Sequence, residues 1–196
     1  MNTAVLRKAA APSRSGGRRV KTGPVAEVSY RAGTAADAVS LEGLIRRHQE
    51  EGHLLPRDVA ELDAHAARFV VATRRGRIVG CAELAPLSGR VAEVRSLVVD
   101  SSARGAGVGR ALVTGLQERA RMAGFETLCA FTHDAGYFVR MGFSIVPHTW
   151  VPEKIALDCH VCPQFRRCGQ HAVVFALNPG HGQRPGAFVP LASLRG

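Results

Sequence analysis

One stretch constrains this 196-residue chain more than any other: Ser96-Leu97-Val98-Val99-Asp100, then Arg104-Gly105-Ala106-Gly107-Val108-Gly109. Consecutive β-branched and aliphatic residues favour an extended backbone in the first part. Glycines at 105, 107 and 109 permit a tight loop. Beyond them Val108, Leu112, Val113 and Leu116 recur at helical spacing, which predicts an amphipathic helix over about 107–122. A helix N-terminus offers unpaired N–H groups and the positive end of the helix dipole. Glycines let a phosphate come close to that backbone. The segment therefore reads as a pyrophosphate cradle, with Arg104 and Arg110 adding charge; the plain alternative is a turn ahead of a helix. The spacing excludes a P-loop, which needs a Gly-Lys pair, and it departs from the G-x-G-x-x-G dinucleotide fingerprint.

Around this unit, strands and helices alternate. Residues 25–31 read as a short strand. Thr34-Ala35-Ala36-Asp37 resembles a capping box, followed by Val39, Leu41, Leu44 and Ile45 at helical spacing. Pro56-Arg57-Asp58 opens a second short helix that ends near His65. Residues 69–73 and 78–84 form a predicted hairpin around a turn at 74–77. Residues 91–99 form a longer strand. Strands at 127–131, 143–146 and 172–177 and a short helix at 135–141 complete the pattern. This order predicts one α/β domain over 25–178, with a mixed sheet covered by helices on both faces.

The net charge of +10 raises nucleic acid or a phosphorylated ligand as partners. Six basic residues and no acid fall within 1–24; the rest of the chain holds 20 basic and 16 acidic residues, a net of +4. Nucleic acid is therefore not the expected partner of the folded part. Residues 1–24 read as a basic disordered tail; a transit peptide or an interaction arm are the alternatives. Residues 179–196, rich in Pro and Gly, read as a flexible C-terminal tail. With 46% hydrophobic and 21% charged residues, the chain can bury a real core. No run approaches 18 apolar residues, so no membrane span is expected. No apolar stretch of secretory type follows the early basic residues, so the cytoplasm is the expected compartment.

The loop and its context resemble the GCN5-related N-acetyltransferases. Arg104-Gly105-Ala106-Gly107-Val108-Gly109 after Ser96-Leu97-Val98-Val99-Asp100 matches their [R/Q]-x-x-G-x-[G/A] loop. Tyr137-Phe138-Val139-Arg140-Met141-Gly142-Phe143 matches their later aromatic-x-x-x-x-G-F segment. The resemblance implies that acetyl-CoA is the co-substrate and that the central sheet is splayed. It also implies that the backbone of Leu97, Val98 and Val99 contacts the pantetheine arm. Arg104, Gly105, Ala106, Gly107, Val108, Gly109 and Arg110 would then hold the diphosphate. Many members carry Tyr four residues before the glycine, to protonate the leaving thiolate. Here Phe138 stands there with Tyr137 beside it, so the thiolate would leave as an anion.

Further segments resemble the amino-acid N-acetyltransferases that make N-acetylglutamate: Gly52-His53-Leu54-Leu55-Pro56-Arg57, Val79-Gly80-Cys81-Ala82-Glu83-Leu84, Ala92-Glu93-Val94-Arg95-Ser96-Leu97 and Pro152-Glu153-Lys154-Ile155. A glutamate site needs cations for two carboxylates, and arginine suits them by binding bidentately. Arg57, Arg95 and Lys154 are the candidate anchors. Acetyl transfer needs a neutral amine, hence a base. Glu93 is the candidate, with Glu83 second. Strict alternation would put Glu93, Arg95 and Leu97 on one face. Thr132 and His133 are candidates for the rim.

Cys159, Cys162, Cys168 and His171 lie within 13 residues, at spacings that suit structural zinc, with His160 as an alternative ligand. A redox pair or simply reduced thiols remain the other readings. Cys81 and Cys129 read as small core residues. The expected activity is acetyl transfer from acetyl-CoA to the α-amine of an amino acid, L-glutamate first. The alternatives are another small amine, a protein N-terminus, or a non-catalytic acetyl-CoA-binding module whose basic tail contacts nucleic acid. A homo-oligomer is compatible with all of these.

Overall fold

The computed structural model describes residues 27–49 and 54–178. The tails expected at 1–24 and 179–196, together with Gly52 and His53, lie outside the described residues. The strands are β1 (Ser29–Ala32), β2 (Phe69–Arg74), β3 (Arg77–Pro86), β4 (Val91–Val99), β5 (Thr127–Thr132), β6 (Ser144–Val146) and β7 (His171–Ala176). The helices are α1 (Ala38–Gln49), α2 (Val59–Ala64), α3 (Val108–Met122), α4 (Ala135–Val139) and α5 (Pro152–Leu157). The sheet order is β1-β2-β3-β4-β5-β7-β6, antiparallel throughout except between β4 and β5.

Local chemistry explains most of these boundaries. Arg75 and Gly76 join β2 to β3 at φ 53° and 75°, the mirror-image turn whose twist suits a two-residue hairpin. Asp37 accepts from the Thr34 N–H at 2.8 Å and from Arg31 at 2.7 and 2.8 Å, fixing the entry to α1. The Asp58 side chain accepts from the Ala60 N–H at 2.7 Å and starts α2. The short helix α5, with Pro152 in its first turn, was not foreseen among the strands and helices read from the sequence.

Helices cover both faces of the sheet. The α3 stripe Val108, Leu112, Val113 and Leu116 is buried against Val70, Ala72, Ala82 and Val94. Burying each such side chain contributes about 1.5–3 kcal/mol. On the other face, Leu41, Leu44 and Ile45 of α1 pack with Phe69, Val71, Cys81 and Val98.

Two irregularities in β4 position the site. In its pairing with β3, Cys81 faces Val98 and Glu83 faces Arg95, so two residues of β4 stand against Ala82 alone. Ser96 at this bulge has φ 48°. The extra residue corrects the expectation from strict alternation. Leu97 packs with Val99 in the α3 cluster, and Val98 lies in the α1 cluster. Glu93 and Arg95 share a face, but Leu97 is on the other. The second irregularity is the splay. β4 pairs with β5 only from Val91↔Thr127 to Glu93↔Cys129, after which the two strands part. β5 stays paired with β7 up to Thr132↔His171.

Candidate active site

The parted strands leave a wedge with Glu93, the last paired residue of β4, at its apex. Past Glu93, the β4 edge toward β5 is free of ladder partners, so its backbone groups can meet an extended ligand. At the mouth lies the glycine loop. Gly105 and Gly107 both have φ 77°, and a Cβ on either would meet nothing within 4 Å. Gly107 precedes the first turn of α3, whose early N–H groups await an acceptor. This open, positively polarised turn fits a diphosphate, with Arg104 and Arg110 beside it in sequence. The Val99 carbonyl accepts from Arg104 Nε at 3.2 Å and lies 3.2 Å from His48 Nε2 of α1. His48 carried no sequence signal, because its contact joins residues 51 apart.

The residues expected to bind substrate come together with the candidate base on the sheet face toward α1. Arg57 Nη1 donates to Glu83 Oε2 at 2.8 Å and to Ser96 Oγ, at the bulge, at 2.9 Å. Arg57 Nε donates to Glu61 Oε2 at 3.0 Å. Arg95, opposite Glu83 in the ladder, donates through Nε to Glu93 Oε2 at 2.6 Å. Lys154 Nζ donates to Glu93 at 2.8 Å and lies 5.4 Å from the Phe131 ring centroid. Asp158 accepts from Lys154 at 2.9 Å and from Arg95 Nη2. Glu83 and Glu93 are only 1% and 3% exposed, and buried carboxylates need such partners. Asp158 was not anticipated. Its signal was its place four residues after Lys154, where a helix brings two side chains together.

Phe138, at the position where the resemblance leads one to expect Tyr, is a core residue. It meets Phe143 edge-on at 5.2 Å, and Phe143 lies 5.2 Å from Phe175. Tyr137 instead turns its hydroxyl toward α3, where a Cβ on Gly109 would lie 2.6 Å from it. Burial raises the pKa of this phenol. Thr132 Oγ1 accepts from the Asp134 N–H at 3.0 Å, and His133 is exposed at the end of β5.

The cysteine segment connects α5 to β7, a strand on the side of the sheet far from β1. Among the described residues, no three His, Cys, Asp or Glu side chains are gathered to hold a metal ion. The side chains of Cys159, Cys162, Cys168 and His171, expected as zinc ligands, are thus not gathered as a tetrahedral set in this structure. Two short 3-10 turns, Cys159–Val161 and Phe165–Arg167, carry the chain here, and His171 enters β7, where the strand pairing sets its direction. The thiols at 159, 162 and 168 are unpaired, and Cys81 and Cys129 are buried as expected.

Residues 38–143 match the acetyltransferase (GNAT) family. An uncharacterised N-acetyltransferase of Chlorobaculum tepidum is 32% identical over 154 residues, covering 79% of this chain and 99% of that protein. The amino-acid acetyltransferase of Neisseria meningitidis serogroup B is 30% identical over 133 residues, covering 67% of this chain and 30% of that protein. The structure of N-acetylglutamate synthase from Neisseria gonorrhoeae, complexed with coenzyme A and N-acetyl-glutamate, is similar with a TM-score of 0.69 and 28% identity. That similarity covers 78% of this chain and 35% of the synthase. This chain thus spans about a third of the length of the two Neisseria proteins.

Proposed function

This chain belongs to the acetyltransferase (GNAT) family, and we propose that it acetylates the α-amine of a free amino acid, L-glutamate first, giving N-acetylglutamate for arginine biosynthesis. One observation carries the reading. Arg95 and Lys154 both donate to the carboxylate of Glu93 at the apex of the β4–β5 wedge, and Arg57 holds Glu83, the ladder partner of Arg95. Cations at that place suit the carboxylates of an amino acid, and a carboxylate beside them suits its ammonium.

In this reading acetyl-CoA supplies an activated acetyl thioester. Gly105, Gly107 and the first N–H groups of α3 bind its diphosphate. The free edge of β4 orients the arm and directs it to Glu93. Arg95 and Lys154 hold a substrate carboxylate, so that the amine faces the wedge. Glu93 takes the proton of the ammonium, directly or through one water, which frees the nitrogen lone pair for attack. Attack forms the C–N bond; as the intermediate collapses the C–S bond breaks, the second nitrogen proton passes to water and, with Phe138 in the core, the sulfur leaves as thiolate, which is reasonable for a thiol that titrates at about 8.5.

The test is thiol release from acetyl-CoA by the purified chain against a panel of free amino acids. Selective turnover of glutamate is the expected result. Binding of acetyl-CoA without turnover of any amino acid would sink the acceptor assignment and leave other amines or protein N-termini as the substrates to try.

A further inference from the structure

Arg95 and Lys154 each hold the same two carboxylates, Glu93 and Asp158. Two cations are thus matched by two acids, and a substrate carboxylate that uses these cations must compete with an acid already there. The two acids are not equally replaceable. The Glu93 side chain is 4% exposed and sits on a paired strand. Moving it off its cations would strand a charge in the interior, which is strongly unfavourable. The Asp158 side chain is 37% exposed. It follows the last residue of α5 and precedes the turn Cys159–Val161, so small changes in this connection can turn it into water. An incoming carboxylate that takes its place restores the same charge balance, with two cations between two acids.

Resting on the amino-acid acceptor reading above, we propose that Arg95 and Lys154 form the substrate's carboxylate subsite. Asp158 fills that subsite when substrate is absent and so acts as a specificity-determining residue. It sets a threshold that only a substrate with a well-placed carboxylate overcomes. Lys154 and Asp158 share one turn of helix, so the competing acid stays close to the cation it releases.

The test is steady-state kinetics of the full chain with acetyl-CoA saturating and L-glutamate varied, for the native protein, Asp158→Asn, Asp158→Ser and Asp158→Glu. Removing the competing acid, which pairs with both cations, should lower KM for glutamate by about two- to fivefold in the Asn and Ser variants. Only a small change in kcat is expected, because the competition precedes chemistry. Asp158→Glu, which keeps the carboxylate, should bring KM back toward the native value. Calorimetric binding of L-glutamate to the coenzyme A complex should show the same order. An unchanged or raised KM in folded Asn and Ser variants overturns the assignment of Asp158 alone. Failure of the native chain to turn over any amino acid overturns the acceptor reading, and this proposal with it.

Discussion

A carboxylate that accepts from both Arg95 and Lys154, as Glu93 does, is oriented and kept at the wedge by two donors. Glu93→Gln keeps the shape but removes the proton acceptor. The expected result is a loss of about 10²–10⁴ in turnover with glutamate, while acetyl-CoA binding persists. Equal loss of acetyl-CoA binding would assign Glu93 to folding instead. The cysteines divide just as sharply. Burial pushes the Cys81 thiol up to about 12, helped by the Glu83 charge and opposed by Arg57. Burial raises Cys129 as well. Only a thiolate reacts readily with an alkylating agent. Treatment of the native protein with iodoacetamide at pH 8 should therefore label exposed Cys168 and spare Cys81 and Cys129. Mass spectrometry of the digested product checks this, and labelling of all five after denaturation is the control.

Elements are set partly by caps and partly by pairing, and the two differ in what a sequence shows. The start of α1 is local: Arg31 holds the Asp37 carboxyl well below the usual carboxylate range, with the Thr34 N–H and hydroxyl adding to it. A carboxylate with a depressed folded pKa contributes its stability above its ordinary pKa of about 3.9 and loses it as pH falls below that. Asp37→Asn should thus lower stability by about 1–2 kcal/mol at pH 7. The difference in melting temperature between the native protein and this variant should shrink steadily from pH 5 to pH 2. A difference independent of pH would show that the Arg31–Asp37 pair does not supply it. The β4 bulge is the opposite case. Val91 to Val99 reads as a simple strand, and nothing in Ser96-Leu97 announces a positive φ. The register of β3 imposes the extra residue, with Arg57 donating to the Ser96 hydroxyl and the Cys81 thiol lying 3.5 Å from the Ser96 carbonyl.

At the scale of the whole molecule, the seven-stranded sheet separates two tasks. In the proposed reading, the glycine loop ahead of α3 serves the co-substrate and the charged cluster on the α1 face serves the acceptor. The matched family region, residues 38–143, includes the wedge, the loop and four of the charged residues: Arg57, Glu83, Glu93 and Arg95. Lys154 and Asp158 enter from α5 and the residue after it. A variant lacking residues 1–24, which removes six of the 26 basic groups, should therefore keep its turnover. If the protein instead acts by contacting nucleic acid, this deletion should abolish salt-sensitive binding.

Much of this was determined by the chain alone. The glycine positions and the helical stripe of Val108, Leu112, Val113 and Leu116 specify the cradle, because loop and helix obey short-range rules. The residue types Arg57, Glu93, Arg95 and Lys154 were legible as candidates for the same reason that carboxylates need cations. Tertiary structure decided which face each would occupy, since one bulged residue at Ser96 reverses every side chain beyond it. It decided how Cys159, Cys162, Cys168 and His171 are carried, on two short turns and the start of β7, because ligand geometry depends on folded turns and not on spacing. It also placed Asp158 on Arg95, a contact between residues 63 apart in sequence, made only when α5 folds back over the sheet.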